Sequence, residues 1–428
     1  MHRNHSEGAL GHRFHRLLLS SGLANLADGI GVVAWPWLAS LITRDPLAIA
    51  LVSMAQKLPW FLFALPSGVI TDRFDRRRLV IAMDALRFIT LMALSLAMLA
   101  PGMLPQTPVQ EFPLDLLYGL LLLGALIVGF AEVLRDNSAV TLLPSIVPHD
   151  RLESANGRMG SLETVMNMMI GPPLAGLIIG LALPLAFGLY GLAFAFAGLL
   201  ILSIPGTFRT ECPEPRHWIA EIREGAAYLF VRPLLRDLAL GLGVLNAIDI
   251  MLLTGQVLYA QEVMGLNSAE YGLLLTGLAV GGLSGGLLGE RIIRRFGASA
   301  CLRATIAGCI LWSLVALLLP VPALVWAVLM LSSVIGMVWN IITVSLRQRM
   351  IPPHLLGRIN SVYRFFGLGT MPLGVLMAGL SVTLAEEIMP RHQALGMPFA
   401  LGAVLSVLLL IGIWTRVSPK ALAAFDGR

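Results

Sequence analysis

The sequence predicts an all-α membrane protein, with twelve transmembrane helices in two pseudo-symmetric six-helix bundles. Three observations lead there: long apolar runs, arginines that gather in alternate loops, and a charged motif that recurs half a chain later. Of 428 residues, 57% are apolar and only 13% are charged, against about 25% charged in soluble domains. The mean hydropathy is +0.81. A hydrocarbon core of about 30 Å takes roughly 20 apolar residues in a helix. Such runs fall at 17–42, 47–71, 79–100, 114–134, 159–183, 185–205, 237–260, 271–289, 300–319, 322–346, 361–385 and 395–415. The first run is too long for a cleaved signal peptide and contains Asp28, so it reads as a span. The 43 glycines and 25 prolines sit inside these runs, where they serve close packing and kinks.

Basic residues set the orientation. With a cytoplasmic N-terminus, the inside loops hold Arg73, Arg76, Arg77 and Arg78, then Arg151 and Arg158, Arg209, Arg216, Arg223 and Arg232, Arg291, Arg294 and Arg295, and Arg347, Arg349 and Arg358. The outside loops hold almost nothing but Arg44 and Arg391. Cationic residues resist translocation, so an even number of spans with both ends in the cytoplasm is expected. The chain then divides into a cytoplasmic tail (1–16), a first bundle (17–205), a cytoplasmic linker (206–236), a second bundle (237–415) and a cytoplasmic tail (416–428). Within the linker, Trp218, Ile219, Ile222, Ala226 and Leu229 recur at helical spacing, which predicts a short amphipathic helix on the membrane surface.

The repeat shows how the halves are related. Gly68-Val-Ile-Thr-Asp72-Arg73-Phe-Asp-Arg76-Arg77 lies between spans two and three, and Gly286-Leu-Leu-Gly-Glu290-Arg291-Ile-Ile-Arg294-Arg295 lies between spans eight and nine. Asn25 and Asp28 in span one are echoed by Asn246 and Asp249 in span seven, and Pro148 and Asn156 by Pro352 and Asn360. Three echoes in one order imply a duplicated six-span unit. Transporters built from parallel repeats place the substrate site near the midplane between the halves. The motif has a physical job at a membrane edge. Its glycines permit close backbone approach, its acids accept from helix N-termini or a neighbouring Arg, and its arginines can bond helix C-terminal carbonyls. Such contacts hold one side closed and must break for it to open.

These residues resemble the hallmark of the major facilitator superfamily, Gly-x-x-x-Asp-Arg-x-Gly-Arg-Arg, with Asp75 in place of the second glycine. The resemblance covers nearly the whole chain and implies alternating access between two bundles. Pro148 to Asn156, Glu224 to Leu229, Pro233 to Arg236 and Ser361 to Gly367 are most similar to the branch of macrolide efflux proteins and the enterobactin exporter. A lysophospholipid transporter belongs to the same branch, so an exporter of drugs or siderophore-like metabolites and a lipid flippase or importer both stay open. Span five resembles the antiporter signature Gly-Pro-x-x-Gly-Gly through Gly171, Pro172 and Gly176, with Ala175 in one glycine position, which favours export. The resemblance implies a bacterial inner-membrane monomer whose partners are a small-molecule substrate, protons and the lipid bilayer.

Polar residues inside the spans are the candidates for coupling and substrate contact. Asp28 and Asp249 lie near mid-depth, where a charge costs about 2.5–3.5 kcal/mol. Each must face water, find a partner such as Asn25 or Asn246 a turn away, or hold a proton. Glu132 and Arg135 are three apart on span four and share a face, either as a structural pair or as handlers of substrate or protons. Asp84 and Arg87 are expected to anchor the arginine-rich corner. Neither the three cysteines nor His2, His5, His12 and His15 form a metal-ligand pattern. Without HExxH, GxSxG or GxxxxGK[ST], no enzyme, cofactor or ATPase is expected, and scattered basic residues argue against nucleic acid.

Overall fold

The computed structural model describes residues 11–417 apart from 64–65, 106, 110–112, 114, 149–150, 210–217, 352–358, 360–361, 364 and 415. His2, His5, Pro352, Asn360, Ser361 and the last eleven residues lie outside the described residues, as do the side chains of Asp72 and of residues 218–222. Among the described residues, twelve helices are long and apolar enough to cross a membrane. In the first half these are α1 (Gly11–Ile42), α2 (Pro46–Phe63) with its continuation α3 (Pro66–Arg73), α4 (Arg76–Met98), α5 (Leu116–Leu142), α6 (Leu152–Thr164) leading through a π-turn into α7 (Gly171–Leu181), and α8 (Leu183–Leu202). After α9 (Trp218–Val231) come α10 (Pro233–Glu262), α11 (Ser268–Phe296), α12 (Ala298–Leu318), α13 (Pro322–Met350), α14 (Met371–Glu386) and, following the single turn α15 (Arg391–Ala394), α16 (Met397–Ile413).

Two departures from the sequence reading have clear causes. Span four was expected to end at 134, but α5 continues to Leu142, past Arg135, which is neutralised within the bundle. Span five starts earlier than expected and contains a π-turn at Val165–Ile170. Pro172 and Pro173 follow at once, and without N–H groups they leave carbonyls of the preceding turn unpaired, so the turn widens. The linker helix α9 docks on the second bundle, with Leu229 buried and the Tyr228 hydroxyl donating to the Met350 carbonyl at 3.3 Å.

The arginine-rich end is tied down by its own sequence. Asp75, in place of the hallmark glycine, caps α4 by accepting from Arg78 N at 2.9 Å and from Phe208 N at 2.7 Å. Arg76 donates to the Thr141 carbonyl at 3.0 Å, and Arg77 to those of Ile201 and Leu202 at 3.2 and 2.6 Å. These carbonyls close α5 and α8, where helix ends leave acceptors free. In the second half Gly297, at φ +80°, ends α11 just after Arg294 and Arg295.

Candidate functional site

The residues that sequence singled out in spans one and four meet inside the first bundle, with partners other than those expected. Asp28 faces Arg87 from α1, with Oδ1 3.4 Å from Nη1. Glu132 on α5 faces the same guanidinium at 3.7 Å and accepts from Trp60 Nε1 at 3.1 Å. Arg135 turns to Asp84, whose Oδ1 accepts from Nε at 3.2 Å, and also approaches Asp136 at 3.7 Å. The expected Glu132–Arg135 pair is therefore replaced by two crossed pairings between α4 and α5. Helix neighbours three apart share a face, yet each here finds a better-placed partner on another helix. Asp84 and Arg87 are wholly buried rather than anchoring the arginine-rich corner, because α4 turns that face into the bundle.

The asparagines do not cap these aspartates. Asn25 Nδ2 donates to the Ser21 carbonyl at 2.9 Å, and Asn246 Nδ2 to that of Gly367 at 2.7 Å. Asp249 in the second bundle accepts instead from the Cys309 thiol, with Sγ to Oδ1 3.4 Å. No arginine stands beside it among the described residues.

The span-five motif sits where the bundles meet. A Cβ on Gly171 would lie 2.5 Å from Gly29 Cα on α1, and one on Gly176 would lie 2.3 Å from the Ser268 carbonyl oxygen on α11. The Pro172 carbonyl presses in the same way on Gly272 of α11. The backbones are in direct contact, so these positions exclude any side chain.

That contact belongs to a joined end of the molecule, opposite the arginine-rich corners. Arg391 holds Glu262 through two bonds of 2.7 and 3.0 Å, bonds Glu386, and donates to the Arg44 carbonyl at 2.7 Å. Arg44 bonds Gln261 and stands 3.6 Å from Glu262, while Gln261 donates to Ser40 at 2.8 Å. Half-burial lowers the pKa of Arg44 by desolvation, and Glu262 opposes the shift. Ser268 adds a bond of 2.8 Å to the Gly176 carbonyl, and Trp37 packs on Tyr271. Deeper in, Phe61 and Phe365 meet across the bundles at 5.5 Å.

At the arginine-rich end, the hydrogen bonds of Arg76 and Arg77 given above stay within the first bundle. Arg73 is exposed, and Glu290 pairs only along its own helix with Arg294, their side chains 81% and 70% exposed. Gly68 and Gly286, expected to sit at close backbone approaches, instead face open space. The latch of Arg44, Gln261, Glu262, Glu386 and Arg391 was not singled out from sequence. Its one signal was that Arg44 and Arg391 are nearly the only basic residues on that side.

The model of the Major Facilitator Superfamily matches residues 17–375. The chain belongs to that superfamily and is a multi-pass membrane transporter. It is 28% identical over 408 residues to the multidrug efflux pump Tap of Mycolicibacterium fortuitum, covering 92% of this chain and 94% of that one. To the enterobactin exporter EntS of Escherichia coli O157:H7 it is 24% identical over 421 residues, covering 97% and 96%. A bacterial homologue of the iron transporter ferroportin, solved in an inward-facing state, superposes with a TM-score of 0.73 at 18% identity, over 96% of this chain and 100% of that one. The last likeness is one of fold.

Proposed function

We propose that this transporter is a proton-coupled exporter of small amphipathic compounds, drugs or siderophore-like metabolites among them. It works as a monomer by alternating access in a bacterial inner membrane, with both termini and the arginine-rich corners in the cytoplasm. The observation that supports coupling is the set of Asp28, Glu132 and Arg87 within the membrane-spanning helices. Its carboxylates are 15% and 22% exposed while the guanidinium is wholly enclosed. The two acids are thus partly accessible, and the base between them is not. The latch at the Arg44–Arg391 end, with Gly68 and Gly286 facing open space at the other, supports a state that loads from the cytoplasm. Gly68, Asp72, Arg73, Arg76 and Arg77, with Gly286, Glu290, Arg291, Arg294 and Arg295, then form the contacts that close the cytoplasmic side in the alternate state. Export agrees with the functions named for the two relatives. The inward proton is driven by the membrane potential at about 2.3 kcal/mol per 100 mV.

Everted vesicles containing the protein test the reading, with ethidium, erythromycin and enterobactin as probes. An acidified lumen should lose protons when a transported probe is added outside, and Asp28→Asn should abolish that response. Proton-linked transport that survives Asp28→Asn unchanged would contradict the assignment. Lysolipid uptake by intact cells without probe export would favour a flippase instead.

A further inference from the structure

Arg87 lies at the centre of the coupling site without having been picked out for it. Its guanidinium is enclosed, makes no hydrogen bond through Nε, Nη1 or Nη2, and stacks 4.4 Å above the Phe194 ring. What holds it are two ion pairs of nearly equal length, 3.4 Å to Asp28 and 3.7 Å to Glu132. An arginine stays charged in a protein, and a buried charge has to be matched. Two carboxylates from two helices thus compete for one permanent cation.

We propose that Arg87 is a shared counterion that makes Asp28 and Glu132 a single site for one proton. This rests on the proton-coupled reading and gives that reading a stoichiometry. With both acids ionised the triad carries one net negative charge, and one proton brings it to zero. A second proton would strand a lone guanidinium inside the membrane, at the cost that excludes unpaired charge there. When one acid takes the proton, Arg87 settles on the other, and the 3.4 and 3.7 Å distances make that a displacement of a few tenths of an ångström. Trp60 donates to Glu132, which supports its charged form, whereas no described hydrogen bond reaches Asp28. The proton is accordingly carried by Asp28 while Glu132 keeps the arginine.

The neighbouring charges fit this division. Arg135 is committed to Asp84 by a hydrogen bond of 3.2 Å in a wholly buried pair, with Asp136 as its second acid. The groups facing the triad are Asp84 from α4, Arg135 and Asp136 from α5, and Tyr190 from α8. Glu163 on α6 acts on the set through Asp136, and α2 contributes Trp60, with Lys57 one turn away on the same helix. None of them supplies Asp28 with a cation as near as Arg87.

Infrared titration of the carboxyl groups in the purified full-length protein, without any substrate, reads the site directly. Wild type should take up one proton in a step that Asp28→Asn removes. Arg87→Lys should keep the midpoint within a few tenths of a pH unit. Arg87→Gln should raise it by about one unit or more, a tenfold gain in proton affinity, since two anions then share the site without their cation. Glu132→Gln should lower it by a similar amount, because Arg87 then belongs to Asp28 alone. Combining Arg87→Gln with Glu132→Gln should bring the midpoint back towards wild type.

An unmoved midpoint in folded Arg87→Gln overturns the proposal, as does uptake of two protons by wild type with Asp28→Asn and Glu132→Gln each removing one. If Arg87→Gln does not fold, the Glu132→Gln shift decides, and its absence overturns the shared site. Failure of the underlying reading looks different. In that case collapsing the pH gradient with nigericin, and the potential with valinomycin and potassium, leaves wild-type ethidium export unchanged whatever the infrared titration shows.

Discussion

The first bundle crosses the membrane with Asp28, Asp84, Glu132 and Asp136 set against Arg87 and Arg135. The second, built on the same six-helix plan, places Asp249 against the Cys309 thiol. It is held instead by close backbone packing of α11 on α13. A Cβ on Gly277, Gly281 or Gly285 would come within 2.7, 2.1 or 2.6 Å of the carbonyl oxygens of Trp326, Met330 and Val334, a stripe of small residues one turn apart. The first bundle has tight glycines too, such as Gly129 against the Gln56 carbonyl, and adds the crossed ion pairs between α4 and α5. The frame and the arginine-rich corners thus recur in both halves, whereas the wholly buried arginines paired with acids, among the described residues, are in the first. Under the proposed coupling, proton chemistry falls to the first bundle, while the second packs through its glycine stripe.

The largest effect that separates the halves comes from leaving buried acids without their cation. Arg87→Met should lower stability by about 3–5 kcal/mol, read as a loss of folded protein in detergent unfolding. In the second bundle the vulnerable point is the stripe. Gly281→Leu should cost about 3 kcal/mol, because a backbone carbonyl at 2.1 Å cannot yield as a side chain would, and the same assay measures it. The latch between the halves is partly exposed and contributes less. Arg391→Ala should shift the equilibrium towards opening of that end by about fivefold, in keeping with about 1 kcal/mol for such pairs. Spin labels at Leu116→Cys and Val321→Cys, which flank the closed end, would report it as a gain in the longer distance. Asp249→Asn should matter least, with a stability change under about 1 kcal/mol, since it exchanges one acceptor of a weak thiol donor for another.

Much of the frame could be read from the sequence because its causes are local. A span needs about 20 apolar residues wherever it lies, and Gly68 to Arg77 and Gly286 to Arg295 announce the repeat by spacing alone. Pairing inside the bundles is not local. Glu132 and Arg135 look like partners along the chain, yet each is claimed by a residue on α4, and only the packing of α4 on α5 decides that. Arg87 looked like a corner anchor because it follows the arginine cluster by ten residues, a distance that in a helix also carries it into the membrane. The latch was hidden for a similar reason. Arg44 and Arg391 are far apart in sequence, and their meeting with Glu262 depends on how two bundles close. The π-turn before Pro172 and Pro173 was readable in principle, since consecutive prolines leave carbonyls without donors.

The central claim is that coupling belongs to the first bundle, and paired variants at the echoed aspartates test it most directly. In proteoliposomes with an acidified lumen, protons released on addition of a transported probe would be counted for wild type, Asp28→Asn and Asp249→Asn, alongside probe movement. The account predicts that Asp28→Asn abolishes the proton signal and that Asp249→Asn keeps it within about twofold of wild type. A proton signal that survives Asp28→Asn, or one lost with Asp249→Asn in folded protein, would contradict it.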